Sequence, residues 1–95
     1  MKLIMMYADA TRLEAVRKCL RELNAPGYTV LPVEEGAGRT GVHTGDRVHP
    51  GSLALVMVVD EDARADRLFD ELAKRVRAQG DDISRLFLMP VERQA

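Results

Sequence analysis

The residues best able to bind a ligand fall in one segment, 34–51, which contains five glycines, two arginines and both histidines of the chain. A glycine-rich backbone can bring main-chain amides close to an anion, and arginine and threonine side chains supply further donors. The segment lacks the Gly-Lys-Ser/Thr of a triphosphate-binding loop, and it leads to a strand rather than a helix, which excludes a dinucleotide fingerprint. We predict an anion-binding loop that includes Gly36, Gly38, Arg39, Thr40, Gly41 and Arg47.

A second candidate site in the same segment consists of His43, Asp46 and His49. Two imidazoles and a carboxylate suit a divalent transition metal such as zinc, copper or nickel. Because a loop imposes no fixed geometry on these side chains, solvated histidines without a metal are the favoured alternative. Cys19 lies beside the apolar residues of a predicted helix, and we interpret it as a packed thiol rather than as a ligand.

The chain offers no pairing of a nucleophile with a base and no carboxylate pair suited to acid–base catalysis. Glu34 and Glu35 are adjacent in an extended segment, so their side chains point to opposite faces. One cysteine excludes a disulfide within the chain and fits a reducing cytoplasm. We therefore predict a cytoplasmic protein that is not an enzyme.

Two helices and four strands must position the loop. An apolar stripe at helical spacing follows a capping box made by Thr11 and Glu14. A second helix opens with Asp60, Glu61 and Asp62 and closes with basic residues before Gly80. Pro32 and Pro90 place the second and last strands at sheet edges, since proline cannot donate to a ladder. The predicted strands are 2–7, 28–33, 53–59 and 86–91, and the helices lie between strands one and two and between strands three and four.

This order predicts an α+β fold, the ferredoxin-like βαββαβ sandwich, with two helices on one face of a four-stranded antiparallel sheet. We expect a single domain over 1–95 with a long loop at about 35–51. Strands 2–7 and 53–59 are apolar on both faces, but the helices cover only one face. A second copy of the chain is the simplest cover for the other face, the alternative being a few tolerated exposed apolar residues.

Charge and hydropathy exclude two classes of partner. The chain has 14 basic and 15 acidic residues and a formal net charge of -1, which argues against nucleic-acid binding. The apolar run at 2–7 is too short for a signal peptide core or a membrane span, so we expect no membrane insertion.

The sequence resembles the PII signal-transduction superfamily over nearly its whole length. The resemblance rests on the order of elements, on Gly36-x-Gly38-Arg39 after an edge strand, and on the closing Phe87-Leu88-Met89-Pro90-Val91-Glu92. It implies a homotrimer that binds an adenine nucleotide or another small effector in clefts between subunits. It also implies that segment 37–51, the counterpart of the T-loop, signals to a partner protein, either a regulated enzyme or a membrane transporter.

The chain also departs from the nitrogen-regulating members of that superfamily. Its loop is shorter and carries no tyrosine, as in the short PII-like proteins that accompany transport systems. Arg85 stands where those members have a phosphate-binding lysine, whereas Asp82 and Ser84 replace glycines. An aspartate there would repel a triphosphate.

Two further functions share this architecture. The trimeric copper-tolerance proteins of the CutA type resemble the chain in architecture. This resemblance implies, as the alternative function, a metal sensor or metal-tolerance protein with His43, His49 and Asp46 as ligands. A small acylphosphatase-like hydrolase would need an arginine in the first strand–helix turn, where this chain has Ala8-Asp9-Ala10. A hydrolase is therefore the least favoured of the three functions.

Overall fold

A four-stranded antiparallel sheet carries two helices on one face, and this confirms the predicted ferredoxin-like arrangement. The computed structural model describes residues 1–38, 41–44, 53–78 and 85–95. The elements in chain order are β1 (Lys2–Asp9), a 3₁₀ turn (Ala10–Arg12), α1 (Leu13–Glu22), β2 (Thr29–Pro32), β3 (Glu35–Gly38), β4 (Gly41–Thr44), β5 (Leu53–Asp60), α2 (Asp62–Ala78) and β6 (Arg85–Pro90). The strand order of the larger sheet is β2-β5-β1-β6.

The two most apolar strands, β1 and β5, lie at the centre of the sheet. They pair along their whole length, from Lys2 opposite Asp60 to Asp9 opposite Leu53. Strands β2 and β6 form the edges, and each ends in the proline that predicted this position.

The core lies between the helices and one face of the sheet. Alternate residues of the central strands point into it, and the apolar stripes of the helices cover them. Its buried members include Ile4, Met6, Ala8, Val16, Leu20, Val56, Val58, Leu68 and Leu72.

The predicted capping box at the start of α1 is wrong. The carboxylate of Asp9 accepts hydrogen bonds from the Thr11 amide at 2.9 Å and from the Thr11 hydroxyl at 2.8 Å. Thr11 lies in the 3₁₀ turn that precedes the helix, and the charged Asp9 carboxylate accepts from both of its donors. Glu14 pairs with Arg17 instead of reaching back to Thr11.

The predicted end of α1 is confirmed, and it has a defined geometry. Asn24 adopts a left-handed conformation with φ 56°. Its amide donates to the Arg21 carbonyl at 3.1 Å, and the Ala25 amide donates to the Leu20 carbonyl at 2.9 Å. This pair of hydrogen bonds is a Schellman motif, which directs the chain out of the helix and toward β2.

The first residues of the chain are tied to the start of α2. The amino group of Met1 lies 2.8 Å from Asp62, and Lys2 Nζ lies 2.7 Å from Asp66. The Met1 carbonyl also accepts from the Val91 amide at 3.0 Å, so the start of the chain and the residue after β6 meet at this corner. In the described part of the chain, neither helix is long and apolar enough to cross a membrane.

Part of the predicted loop at 35–51 is a two-stranded hairpin, not an irregular segment. β3 and β4 pair from Glu35 opposite Thr44 to Gly38 opposite Gly41. The glycine-rich sequence hides these strands because it lacks the apolar alternation by which strands are recognised. Residues 39 and 40, between the two strands, lie outside the described part of the chain.

The sheet face opposite the helices is apolar and uncovered in the single chain. We call it the open sheet face. Among its members, Leu31, Val59 and Phe87 are 46%, 40% and 47% exposed. Its residues are Leu3, Met5, Tyr7, Asp9, Thr29, Leu31, Leu53, Leu55, Met57, Val59, Arg85, Phe87 and Met89. The prediction that the central strands are apolar on both faces is therefore confirmed.

Candidate functional site

The predicted anion-binding segment is held by the hairpin that continues from the edge strand β2. Gly36 lies opposite His43, and Gly38 lies opposite Gly41, at the closed end of the hairpin. Glycines at these positions leave the backbone open to close approach by a ligand. The backbone positions of Gly36, Gly38 and Gly41 thus lie in one small structural unit.

The remaining residues of the two loop predictions lie outside the part of the chain that the structure describes. These are Arg39, Thr40 and Arg47 of the anion site and Asp46 and His49 of the metal site. His43 is placed by its backbone in β4. Within residues 1–38, 41–44, 53–78 and 85–95, no group of three histidine, cysteine or acidic side chains could hold a metal ion.

Arg85 begins β6 and belongs to a row of residues that crosses the open sheet face. It lies opposite Tyr7, which in turn lies opposite Leu55, and Leu55 lies opposite Leu31 of β2. Arg85 is therefore at the end of the sheet from which the chain leaves β2 toward the hairpin. The row spans three strand spacings, so Arg85 lies about 14 Å from Leu31, on the opposite edge.

An aromatic pair beside Arg85 is a feature that the sequence reasoning missed. The rings of Tyr7 and Phe87 meet edge to face, with centroids 6.3 Å apart and an interplanar angle of 90°. Phe87 is two residues from Arg85, so both side chains point to the same face. The alternation of β6 could have shown this placement, but the contact with Tyr7 depends on the strand register.

Cys19 is a packed thiol, as predicted. It is 2% exposed, and burial raises the pKa of its thiol above the ordinary value. A thiol in this state is a weak nucleophile and a poor ligand. It does not contribute to the site.

One family model matches the whole chain. The family model of the nitrogen regulatory protein P-II matches residues 1–95. No curated protein matches the sequence.

The solved structures that share the fold include the following two. One is CPII, a nitrogen regulatory PII-like protein from Thiomonas intermedia K12 bound to ADP, AMP and bicarbonate. It is 15% identical, with 93% of this chain and 88% of that chain covered and a TM-score of 0.69. The other is a DUF3240 family protein from Shewanella baltica OS155, 16% identical, with 99% and 92% covered and a TM-score of 0.72.

Proposed function

The chain belongs to the nitrogen regulatory protein P-II family, and from this premise we propose that it is a non-enzymatic regulatory protein. In this proposal one domain, residues 1–95, assembles as a homotrimer in the cytoplasm. A small effector binds in the clefts between copies, and segment 37–51 transmits its presence to a partner protein.

The open sheet face supports assembly with further copies. Its central residues are Met5 and Met57, which lie directly opposite each other on neighbouring strands. On the edge strands, Phe87 lies opposite Met5 and Leu31 lies diagonal to Met57, and both are nearly half exposed. A contiguous apolar face of this kind is typical of an interface, because removing apolar surface from water lowers the free energy of the system.

The separation of Arg85 from the start of the hairpin is the main observation in support of a cleft between two copies. Arg85 and the start of the hairpin lie at the same end of the sheet but on opposite edges. The row of Leu31, Leu55 and Tyr7 separates them. In a closed ring of copies, the β6 edge of one copy approaches the β2 edge of the next. One effector could then contact Arg85 of one copy and the hairpin of its neighbour.

We propose an adenine nucleotide or another small anion as the effector. Gly36, Gly38, Arg39, Thr40, Gly41 and Arg47 would come from one copy and Arg85 from the other. CPII binds ADP, AMP and bicarbonate, so ligands of these classes are the first to test. The aspartate and serine at 82 and 84 disfavour a triphosphate, since a carboxylate repels its added charge. The partner would be a regulated enzyme or a membrane transporter.

Mixed assemblies test the shared cleft directly. The variants Arg39→Gln and Arg85→Gln are each expected to lose effector binding, measured by calorimetry with AMP, ADP and bicarbonate. When the two variants are coexpressed and mix at random, about one quarter of the clefts combine an intact Arg39 with an intact Arg85.

Recovery of about that fraction of the sites supports a cleft between copies. If both arginines acted within one copy, no mixed assembly would regain a site, and the proposal would be wrong. The matched control is Arg77→Gln, since Arg77 lies on α2 and bonds to the Ala73 carbonyl of its own helix. That variant should bind as the original protein does.

A further inference from the structure

A groove of about 600 Å³ lies on the helix layer, between the end of α1 and the first half of α2. It contains Asp60, which pairs with Lys2 at the end of the sheet away from Arg85. The groove is therefore separate from the proposed effector cleft. Its walls hold four acidic side chains and two arginines, so acidic groups predominate.

Asp60 is the most unusual residue of this groove, because its carboxylate is 5% exposed. Oδ1 accepts a hydrogen bond from the Glu61 amide at 2.7 Å and lies 2.8 Å from the guanidinium of Arg64. From the residues that the structure describes, no hydrogen bond reaches Oδ2. A buried carboxylate oxygen is stabilised when a donor reaches it, so Oδ2 is the acceptor in this groove at which an additional polar group would bind.

The end of α1 adds further acceptors to the groove. Leu20 and Arg21 use their carbonyls in the Schellman motif, but those of Glu22 and Leu23 accept no backbone hydrogen bond from the described residues. These carbonyls form the negative end of the helix dipole. The acceptors are thus supplied by two independent elements, the end of α1 and the end of β5.

From this arrangement we infer that the groove binds an organic cation, an alkylammonium or alkylguanidinium group. The charged head would donate to Asp60 Oδ2 and to the last carbonyls of α1, and its alkyl stem would lie along Leu23 and Leu68. A divalent metal is the poorer occupant, because the described side chains contain no metal-binding cluster. Arg64, whose side chain is 52% exposed, is the internal competitor for the same carboxylate.

Nuclear magnetic resonance of the ¹⁵N-labelled full chain tests the site with N-butylguanidinium as the probe. N-butylurea is the matched control, since it has the same shape but no charge. We expect N-butylguanidinium alone to shift the amides of Asp60, Glu61 and Ala25. Equal shifts with both compounds, or no shift at these amides, would overturn the inference.

Two variants separate binding from a merely structural role of Asp60. Asp60→Asn should weaken binding about tenfold, the effect of losing a hydrogen bond to a charged group. Arg64→Gln removes the competing guanidinium and should tighten binding about threefold. Arg93→Gln, in the exposed tail, changes the net charge equally and should leave the affinity unchanged. If Arg64→Gln binds no more tightly than the Arg93→Gln control, Asp60 serves only to hold Arg64 and the inference fails.

Two larger probes identify the source of the cation. Agmatine represents a free polyamine, and a blocked Gly-Arg-Gly peptide represents an arginine side chain of a partner protein. Tighter binding of agmatine than of N-butylguanidinium supports a small-molecule site. Tighter binding of the peptide supports recognition of a partner protein.

Discussion

A charge at the centre of the open sheet face should separate assembly from folding. Met57 lies between Met5 of β1 and Thr29 of β2, in the middle of that face. The substitution Met57→Glu places a carboxylate there. The matched control is Ala63→Glu, which adds the same charge at an exposed position near the start of α2.

The expected effect follows from the number of copies that meet. Burying one methionine side chain contributes about 1.5–3 kcal/mol, and an unpaired buried carboxylate costs several kcal/mol more. If each copy loses about 3 kcal/mol, a trimer loses about 9 kcal/mol, or about six powers of ten in its dissociation constant. In a single copy the face is in water, so the free energy of unfolding should change by less than about 1 kcal/mol.

Light scattering coupled to gel filtration measures this directly. We expect the original protein and Ala63→Glu at about 32 kDa, three times the 10.6 kDa of one chain. Met57→Glu should elute at the mass of one chain and keep its far-ultraviolet circular dichroism. A trimeric Met57→Glu protein, or a monomeric original protein at micromolar concentration, would refute the assignment of the open sheet face as the interface.

Three further predictions concern the folded chain itself. Asn24→Ala should lower the free energy of unfolding in urea by about 1 kcal/mol, whereas Asn24→Gly should not, because only alanine is strained at φ 56°; equal losses would contradict this. The amino group of Met1 lowers the pKa of Asp62 from its ordinary value of 3.8. The pair therefore stabilises the fold at pH values above 3.8, and this stabilisation is lost as the pH falls through the lower pKa of the folded state. Asp62→Asn should therefore reduce the melting temperature at neutral pH but not at strongly acidic pH, and a constant difference would argue against the pair. The buried Cys19 should react with a thiol reagent only after denaturant is added, and rapid labelling of the native protein would show that the thiol is accessible.

The sequence contained enough information to predict the larger sheet because its strong signals are local. The uniformly apolar run of β5 predicted a central strand, and Pro32 and Pro90 predicted the edges. The apolar stripe containing Val16 and Leu20 predicted the buried side of α1. Each of these signals depends on neighbouring residues and not on how distant strands pair.

The features that the sequence did not predict depend on competition between hydrogen-bond acceptors, on the register of paired strands or on the packing of a helix. The charged carboxylate of Asp9 accepts hydrogen bonds from the amide and the hydroxyl of Thr11. The capping-box pattern includes only Thr11 and Glu14, so it does not account for this competing acceptor. The contact of Tyr7 with Phe87 requires the exact pairing of β1 with β6. Asp60 follows the sequence pattern of an exposed helix start, yet the packing of α2 buries it.

The division of the molecule into two faces links its assembly to its proposed regulation. A chain of 95 residues has a thin core, and covering the open sheet face would enlarge the apolar interior. In the proposed trimer the cleft also requires the neighbouring copy, since Arg85 lies on the edge strand β6 and the hairpin follows the opposite edge strand, β2. An effector that binds only the completed cleft must stabilise the assembly by mass action. The outward helix layer is then the surface left for contacts that do not compete with assembly, and the groove at Asp60 lies on that layer.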